Sequence, residues 1–358
     1  MRVLLALSLS ATLLAVGAPA TADESAVAYD VIDLGTLGGT ASFALGVNAR
    51  GEVVGTSRTT TGTRPQYAFS WRGGALRQLD QLPGSTFSRA FAVNSRGQAV
   101  GEAFTPSPER SRAVRWDADG RIEDLGTLGD ATGAVANDLN TRGRVVGTSG
   151  GHAVVWGAAG AQAVGSLSDA PGATSRGNAI NEPGAVAGTA QTDVLSASGQ
   201  RVSHAFVATP HSGGYTLTDL GSLGGEAAYS TAFGLNDRGD AVGESVPAPG
   251  GSTYRATLWV DGRTVDLGTV AGLRHSRADD VNDRRQAVGH ASGFYNFPTI
   301  DGVAVLWEHG QAVDLNTRIP AASGWVLRHA QSISNRGEIA GYGTRDGQTR
   351  AYLLRPRS

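Results

Sequence analysis

Arg89, Arg176, Arg277 and His329 stand at one point of a repeated phrase, each immediately before a small residue: Ala90, Gly177, Ala278 or Ala330. Gathered around one opening, three guanidiniums and an imidazole would attract carboxylates, sulfates or phosphates, because the guanidinium fork matches those anions and a positive rim draws them in. Arg274, His275 and Arg328 lie close by in the sequence. The competing reading is local pairing with acids such as Asp279 and Asp280. Those two adjacent acids are also the best placed for metal or acid-base work, yet consecutive residues of a strand point to opposite faces. Trp325 in "AASGWVLRHA" is a candidate platform for a sugar ring, as are Tyr295 and Phe297 in "GFYNFP"; packing under their own loops is the alternative.

Other patterns that carry chemistry lack their context. Gly147, Ser149 and Gly151 match Gly-x-Ser-x-Gly, but a nucleophile there needs a strand leading through a strained turn into a helix, and here a strand follows. The stretch "LGGT" at 37–40 has no Gly-Lys-Ser/Thr after it, so it reads as a connection rather than a phosphate cradle. Asp33, Asp124, Asp219, Asp266 and Asp314 share a column but sit in separate repeats, which suits bonding to a neighbouring turn better than one acid-base pair. The seven histidines show neither His-x-His nor His-Glu-x-x-His spacing. No catalytic residue, metal site or cofactor is expected.

The elements that would position these side chains come from a repeat. The phrase Val-Asn-x-x-Gly-x-x-x-Gly recurs as "VNARGEVVG" at 47, "VNSRGQAVG" at 93, "LNTRGRVVG" at 139, "INEPGAVAG" at 180, "LNDRGDAVG" at 235, "VNDRRQAVG" at 281 and "ISNRGEIAG" at 333. The spacing averages about 48 residues, as in propeller arrays. Asn followed three residues later by Gly marks a hairpin turn, with the amide bonding the backbone ahead and Gly taking a positive φ. Arg285 breaks the Gly column and is expected to strain or reshape its turn. Gly55, Gly101, Gly147, Gly188, Gly243, Gly289 and Gly341 follow four residues on, where a small residue in a strand signals a bulge or close backbone approach. A third strand ends at Trp71, Trp116, Trp156, Trp259 or Trp307, read as core between sheets.

A fourth strand carries "VIDLGTL" or a variant of it, and the chain opens with this strand and closes, at "RAYLLRP", with a third. Residues 30–37 are therefore expected to complete the last sheet. The expected fold is all-β: a seven-bladed β-propeller of four-stranded antiparallel blades, closed by pairing the N-terminal strand with the C-terminal blade. Residues 1–22 read as a signal peptide with an apolar run too short to span a bilayer, and 23–358 as a single propeller domain. Export follows, to the exterior, periplasm or cell surface alike. Without cysteine no disulfide can assist, so packing alone stabilises the fold. The formal charge of −2, or −3 without the leader's Arg2, gives no reason to expect nucleic acid, and no membrane span is expected. Glycine, 51 of 358 residues, is about twice as frequent as usual and predicts many tight turns.

On these motifs the chain resembles the bacterial HAF-repeat family of probable extracellular repeat proteins, marked by Asn-x-x-Gly-x-x-x-Gly, a His-Ala-Phe-x-Trp strand and Asp-Leu-Gly-Thr-Leu-Gly-Gly. The resemblance spans about residues 30–354 and implies secretion and a repeat fold. The literal triplet occurs at His204, Ala205 and Phe206; elsewhere the first place holds Tyr67, Arg112, His152, Arg255, Val303 or Arg350, which argues against a shared histidine ligand. Variable second-to-third and sheet-to-sheet connections emerge on one face, where binding sites usually lie. The expected function is a monomeric binding module recognising an anionic glycan or another cell-envelope polymer there through Arg89, Arg176, Arg277 and His329, with Trp325 as platform. A polysaccharide lyase or hydrolase with its site at the channel mouth, and a passive matrix protein without a deep polar pocket, remain open alternatives.

Overall fold

The computed structural model describes residues 28–60, 65–106, 109–294 and 302–357. The leader at 1–22 and the residues Tyr295 and Phe297 lie outside them. The first strand, β1 (Tyr29–Asp33), does not pair with its successor in the chain. Next come β2 (Ser42–Val47), β3 (Val53–Arg58), β4 (Gln66–Arg72) and β5 (Ala75–Gln78), then β6 (Phe87–Val93), β7 (Ala99–Pro106), β8 (Glu109–Trp116) and β9 (Ile122–Asp124). These are two four-stranded antiparallel units joined by a single parallel bridge between Gln66 and Phe87. Separate four-stranded antiparallel sheets come after them. They comprise β10 (Ala134–Leu139), β11 (Val145–Ser149), β12 (His152–Gly157) and β13 (Gly160–Gly165), and then β14 (Ser175–Ile180), β15 (Val186–Leu195), β16 (Arg201–His211) and β17 (Gly214–Gly221). The next are β18 (Ser230–Leu235), β19 (Ala241–Ser245), β20 (Arg255–Val260) and β21 (Arg263–Gly268), and β22 (His275–Val281), β23 (Ala287–Ser292), β24 (Val303–Glu308) and β25 (Gln311–Asp314). The last sheet joins β26 (Trp325–Ile333), β27 (Ile339–Arg345) and β28 (Gln348–Pro356) to β1, from Tyr29 opposite Pro356 to Asp33 opposite Tyr352. Among the described residues no helix is long and apolar enough to cross a membrane.

The hairpin turns behave as their residue types require, and do more. Asn48 Oδ1 accepts from the backbone N–H of Arg50 (2.9 Å) and Glu52 (3.1 Å), which shapes the turn, and Gly51 takes φ +71°. The same amide's Nδ2 then donates to the carbonyl of Asn94 in the next unit, at 2.9 Å. Asn94 repeats this toward Asn140, Asn140 toward Asn181, Asn181 toward Asn236, Asn236 toward Asn282, and Asn282 toward Ser334, all at 3.1–3.2 Å. Each turn is thus tied to its neighbour by a buried amide. Arg285, in the Gly column, keeps the turn with φ +61° rather than reshaping it, and its guanidinium grips Asp240 in the preceding sheet at 2.9 and 3.1 Å.

The second glycine column marks a real crowding of chains. A Cβ on Gly101 would lie 1.9 Å from the carbonyl oxygen of Arg89, and equivalent approaches of 1.9–2.1 Å occur at Gly55, Gly147, Gly188, Gly243, Gly289 and Gly341. The first strand of every unit also carries a bulge just beyond that contact, between Ala44 and Gly46, Ala90 and Ala92, Ala136 and Asp138, Gly177 and Ala179, Ala232 and Gly234, Ala278 and Asp280, and Ala330 and Ser332. A bulge leaves one residue unpaired and re-aims its side chain.

The core lies between sheets. Trp71, Trp116, Trp156, Trp259 and Trp307 are all buried. Trp71, for example, packs with Val47, Phe69 and, from the sheet holding β28, Leu353 and Ala340. Buried serines stitch the same seams. Ser88 Oγ accepts from Ala68 N of the preceding unit at 2.8 Å, and Ser42, Ser175, Ser230 and Ser276 do likewise for Ala351, Ala153, Ala205 and Ala256. Across these seams β3 contacts β6, β7 contacts β10, β11 contacts β14, β15 contacts β18, β19 contacts β22, β23 contacts β26, and β27 contacts β2.

Gly101→Ala should destabilise the protein by roughly 3 kcal/mol, because backbone meets the new methyl group and cannot yield. Gly157→Ala, whose Cβ meets nothing within 4 Å, should be nearly neutral. Denaturant unfolding of the two variants checks this; equal midpoints would contradict it.

Candidate functional site

The first strands converge on a cavity of about 500 Å³ that opens at their N-terminal ends, beside Arg58 at the end of one second strand and Gln66 at the start of the third strand that follows it. The unpaired bulge residues Leu45, Phe91, Asn137, Asn178, Phe233, Asp279 and Gln331 all line it. Above them stand Phe43, Arg89 and Arg277, with Arg58 and Tyr342 from second strands. The bulge is what turns these side chains inward, so one backbone device supplies a ring of chemically different groups.

Arg89 Nε bonds Glu102 at 2.9 Å, and its guanidinium lies 5.2 Å from the ring centres of both Phe87 and Phe91. Arg277 Nε bonds Asp279 Oδ1 at 2.7 Å while its guanidinium carbon sits 3.9 Å from the Phe233 ring centre. Each arginine is therefore preorganised by one acid and one or two aromatic faces. Arg58 makes no ion pair among the described residues. Phe43 meets Tyr342 edge-on, with centroids 5.1 Å apart.

Beside Arg277 lies a buried polar cluster. His329 Nε2 is 2.8 Å from Asp279 Oδ2, and its Nδ1 is 3.0 Å from the Tyr342 hydroxyl. His290 Nδ1 is 3.6 Å from the same Asp279 oxygen, with its ring centre 4.3 Å from that of His329. Burial alone would raise Asp279, but the Arg277 guanidinium and His329 outweigh it and hold the carboxyl well below its ordinary range. Burial, with His329 alongside, pushes His290 down to about 4. Burial, aided by the Asp279 charge, raises the Tyr342 hydroxyl and keeps it protonated.

A smaller cavity of about 230 Å³ continues below the bulges, lined in part by Asp138 and Asp280. Asp138 accepts from Ile180 N in the next unit at 2.8 Å, and Asp280 from Ile333 N and Ser332 Oγ, both at 2.8 Å. Burial pushes Asp138 up to about 7 and Asp280 up to about 6, against the backbone N–H groups that favour the charged forms.

Of the residues singled out from sequence, Arg89, Arg277 and Asp279 meet in the cavity, while Arg176, His329 and Trp325 do not line it. Arg176 is exposed and outside the lining; Thr189 stands opposite it, where Arg89 faces an acid, so nothing folds it inward. His329 is 2% exposed, not on the rim, because the bulge before it and its pairing opposite Tyr342 turn it toward Asp279. Trp325 is buried against Tyr352, centroids 5.9 Å apart, with Arg345 over its ring, so its faces are taken by packing. His204 is likewise structural: it bonds Asp219 at 2.9 Å and the Glu226 carbonyl at 3.0 Å. Asp33, Asp124, Asp219, Asp266 and Asp314 each cap the N–H two residues on, at 2.8–2.9 Å, as turn formers. Sequence spacing missed Arg58, His290 and Tyr342. The signal that could have found the latter two was cross-strand register: Arg89 faces Glu102, Arg277 faces His290 and His329 faces Tyr342, each partner directly following the glycine of its second strand.

The chain matches no known family description and no curated protein. Its fold is similar to solved structures of the β-propeller class. The β-propeller domain of the trilobed protease from Pyrococcus furiosus superposes with a TM-score of 0.53 at 7% identity, covering 88% of this chain and 94% of that one. A gluconolactonase from Xanthomonas campestris matches at a TM-score of 0.40 and 14% identity over 91% of this chain and 90% of that one. A puromycin hydrolase matches at 0.48 and 16% identity over 85% of this chain and 50% of that one. The all-β, four-stranded antiparallel sheets described above thus define a β-propeller module.

Asp138 gives the lower cavity a pH signature. Its unfolded carboxyl releases a proton near 3.8 and its folded one near 7, so its contribution to stability declines as pH rises through that window. Asp138→Asn stays neutral throughout. The melting temperature of the variant relative to wild type should therefore climb by several degrees between about pH 5 and about pH 8, since each tenfold difference in proton affinity between the folded and unfolded chain carries about 1.4 kcal/mol. A difference independent of pH in differential scanning calorimetry would refute the assignment.

Proposed function

We propose that this chain is a secreted, HAF-repeat-type propeller of seven four-stranded blades that binds an anionic glycan at the axial cavity on its loop-rich end. Closure is supported by the antiparallel pairing of β1 with β28 and by the contact of β27 with β2, and the blade number by the repeated four-stranded units. The observation that carries the binding reading is the pairing of chemistries in one cavity. Arg89 and Arg277, each held along its Nε–Nη2 edge by Glu102 or Asp279, turn the remaining guanidinium edge to a carboxylate or sulfate, and the partly exposed rings of Phe43, Phe91 and Phe233 supply apolar faces. Acidic sugars present both, an anionic group and a stack of C–H bonds. Asn137, Asn178 and Gln331 add neutral polar groups for hydroxyls.

An enzyme acting on such a polymer is the second reading, favoured by the hydrogen-bonded chain from Tyr342 through His329 to Asp279 at the cavity wall. Binding is preferred over it because burial leaves His329 out of a substrate's direct reach.

Titration calorimetry with a uronic-acid oligosaccharide and its neutral counterpart tests the proposal. The acidic ligand should bind, and more weakly as salt is added. The double variant Arg89→Lys with Arg277→Lys keeps both charges but loses the forks, and should bind about tenfold more weakly, about 1.4 kcal/mol. Equal affinity for the neutral ligand, or an unaltered affinity in the variant, would overturn the reading.

A further inference from the structure

The cluster behind the cavity wall has the composition and arrangement of a metal centre. Asp279 on β22, His290 on β23 and His329 on β26 are all buried, and their donor atoms lie within 4.8 Å of one another. Two imidazoles and one carboxylate suit first-row divalent ions such as zinc, cobalt or iron rather than calcium or magnesium. The spacing fits. Metal-ligand bonds of about 2.0–2.2 Å place tetrahedral donors about 3.3 Å apart, and Asp279 Oδ2 stands 2.8 Å from His329 Nε2 and 3.6 Å from His290 Nδ1. Small opposite movements of the two rings would equalise those edges.

The surroundings orient these ligands as supporting groups do around bound ions. Arg277 occupies Asp279 Oδ1 and leaves Oδ2 turned toward the imidazoles. The Tyr342 hydroxyl holds His329 Nδ1, and Tyr352 fixes the His329 backbone by donating to its carbonyl at 2.8 Å. We propose that Asp279 Oδ2, His290 Nδ1 and His329 Nε2 bind one zinc-class divalent ion whose remaining coordination position opens toward the cavity, on the side where Asp279 and Tyr342 line it. The ion takes the place of the hydrogen between His329 Nε2 and Asp279. For a neutral imidazole that proton shifts to Nδ1, which then donates to the Tyr342 oxygen, while the Tyr342 O–H turns toward the cavity. The guanidinium of Arg277 nearby is a cost, offset when an anion completes the coordination.

This inference stands apart from the glycan reading, and metal alone tests it. Full-length protein stripped with chelator is titrated with Co²⁺, read by visible absorption, and with Zn²⁺, read by calorimetry and by melting temperature. One ion per chain should bind, with a Co²⁺ spectrum of low coordination number and a Zn²⁺-dependent rise of several degrees. His290→Ala should abolish all three signals, and Tyr342→Phe should weaken affinity 10–100-fold. Arg176→Ala should change nothing. Failure of the wild type to bind one ion, or wild-type affinity in His290→Ala, would overturn the assignment. If His290→Ala does not fold, His290→Gln decides in its place. Glycan binding measured in chelator is unaffected by either result.

Discussion

The structure depends on what the turn asparagine does with both ends of its amide. Its oxygen closes the hairpin by accepting from Arg50 N and Glu52 N, and its nitrogen donates to the neighbouring turn. A buried amide that satisfied its own turn alone would leave a donor without a partner, at a cost of about 1–3 kcal/mol. The one arrangement that satisfies both halves places the next hairpin at a fixed distance and angle. Local turn chemistry thereby becomes a rule for how one sheet is set against the next, repeated from Asn48 to Asn282.

The second constraint is crowding where the first strands converge. Glycine lets the second strand approach a neighbour's carbonyl to a distance no side chain permits, and the bulge beyond it releases one residue from pairing. That released residue no longer has to fit the strand ladder. Leucine, phenylalanine, asparagine, aspartate and glutamine all occupy it, so the cavity's chemistry varies while the backbone does not.

Much of the fold was legible in the sequence because it is carried by short-range columns. Asn with Gly three residues on, the second glycine, and the Trp that ends a third strand each have a local cause, and each appears in the structure as turn, close approach and inter-sheet core. Arg285 was legible as an exception; that it keeps a left-handed backbone with help from Asp240 was not, since the partner lies in another repeat. The site was half legible. Arg89 and Arg277 emerged as a column, but a column says nothing about what stands across the strand pair. Arg176 lacks the acid that Arg89 has, and His329 faces a tyrosine instead of solvent. Asp279 and Asp280, assigned opposite faces by simple alternation, both line the lower cavity because Asp279 is the bulge residue, left unpaired between Ala278 and Asp280.

The buried serines and the cluster of Asp279, His290 and His329 show why spacing rules fail in a repeat architecture. Residues from adjoining units meet at separations set by repeat length, so no short motif records them.

Ser334 stands where the seventh asparagine would be. Its side chain is too short to span to a neighbouring hairpin, and it serves its own turn by accepting from Arg336 N and Glu338 N. The handshake between turns therefore runs in one direction from Asn48 and stops there. Where it stops, hydroxyls hold the seam to the first unit instead: Ser42 Oγ accepts from Ala351 N at 3.0 Å, and Val47 N donates to Ser332 Oγ at 3.3 Å, so the joint that lacks the amide link is bound by a different chemistry from the others.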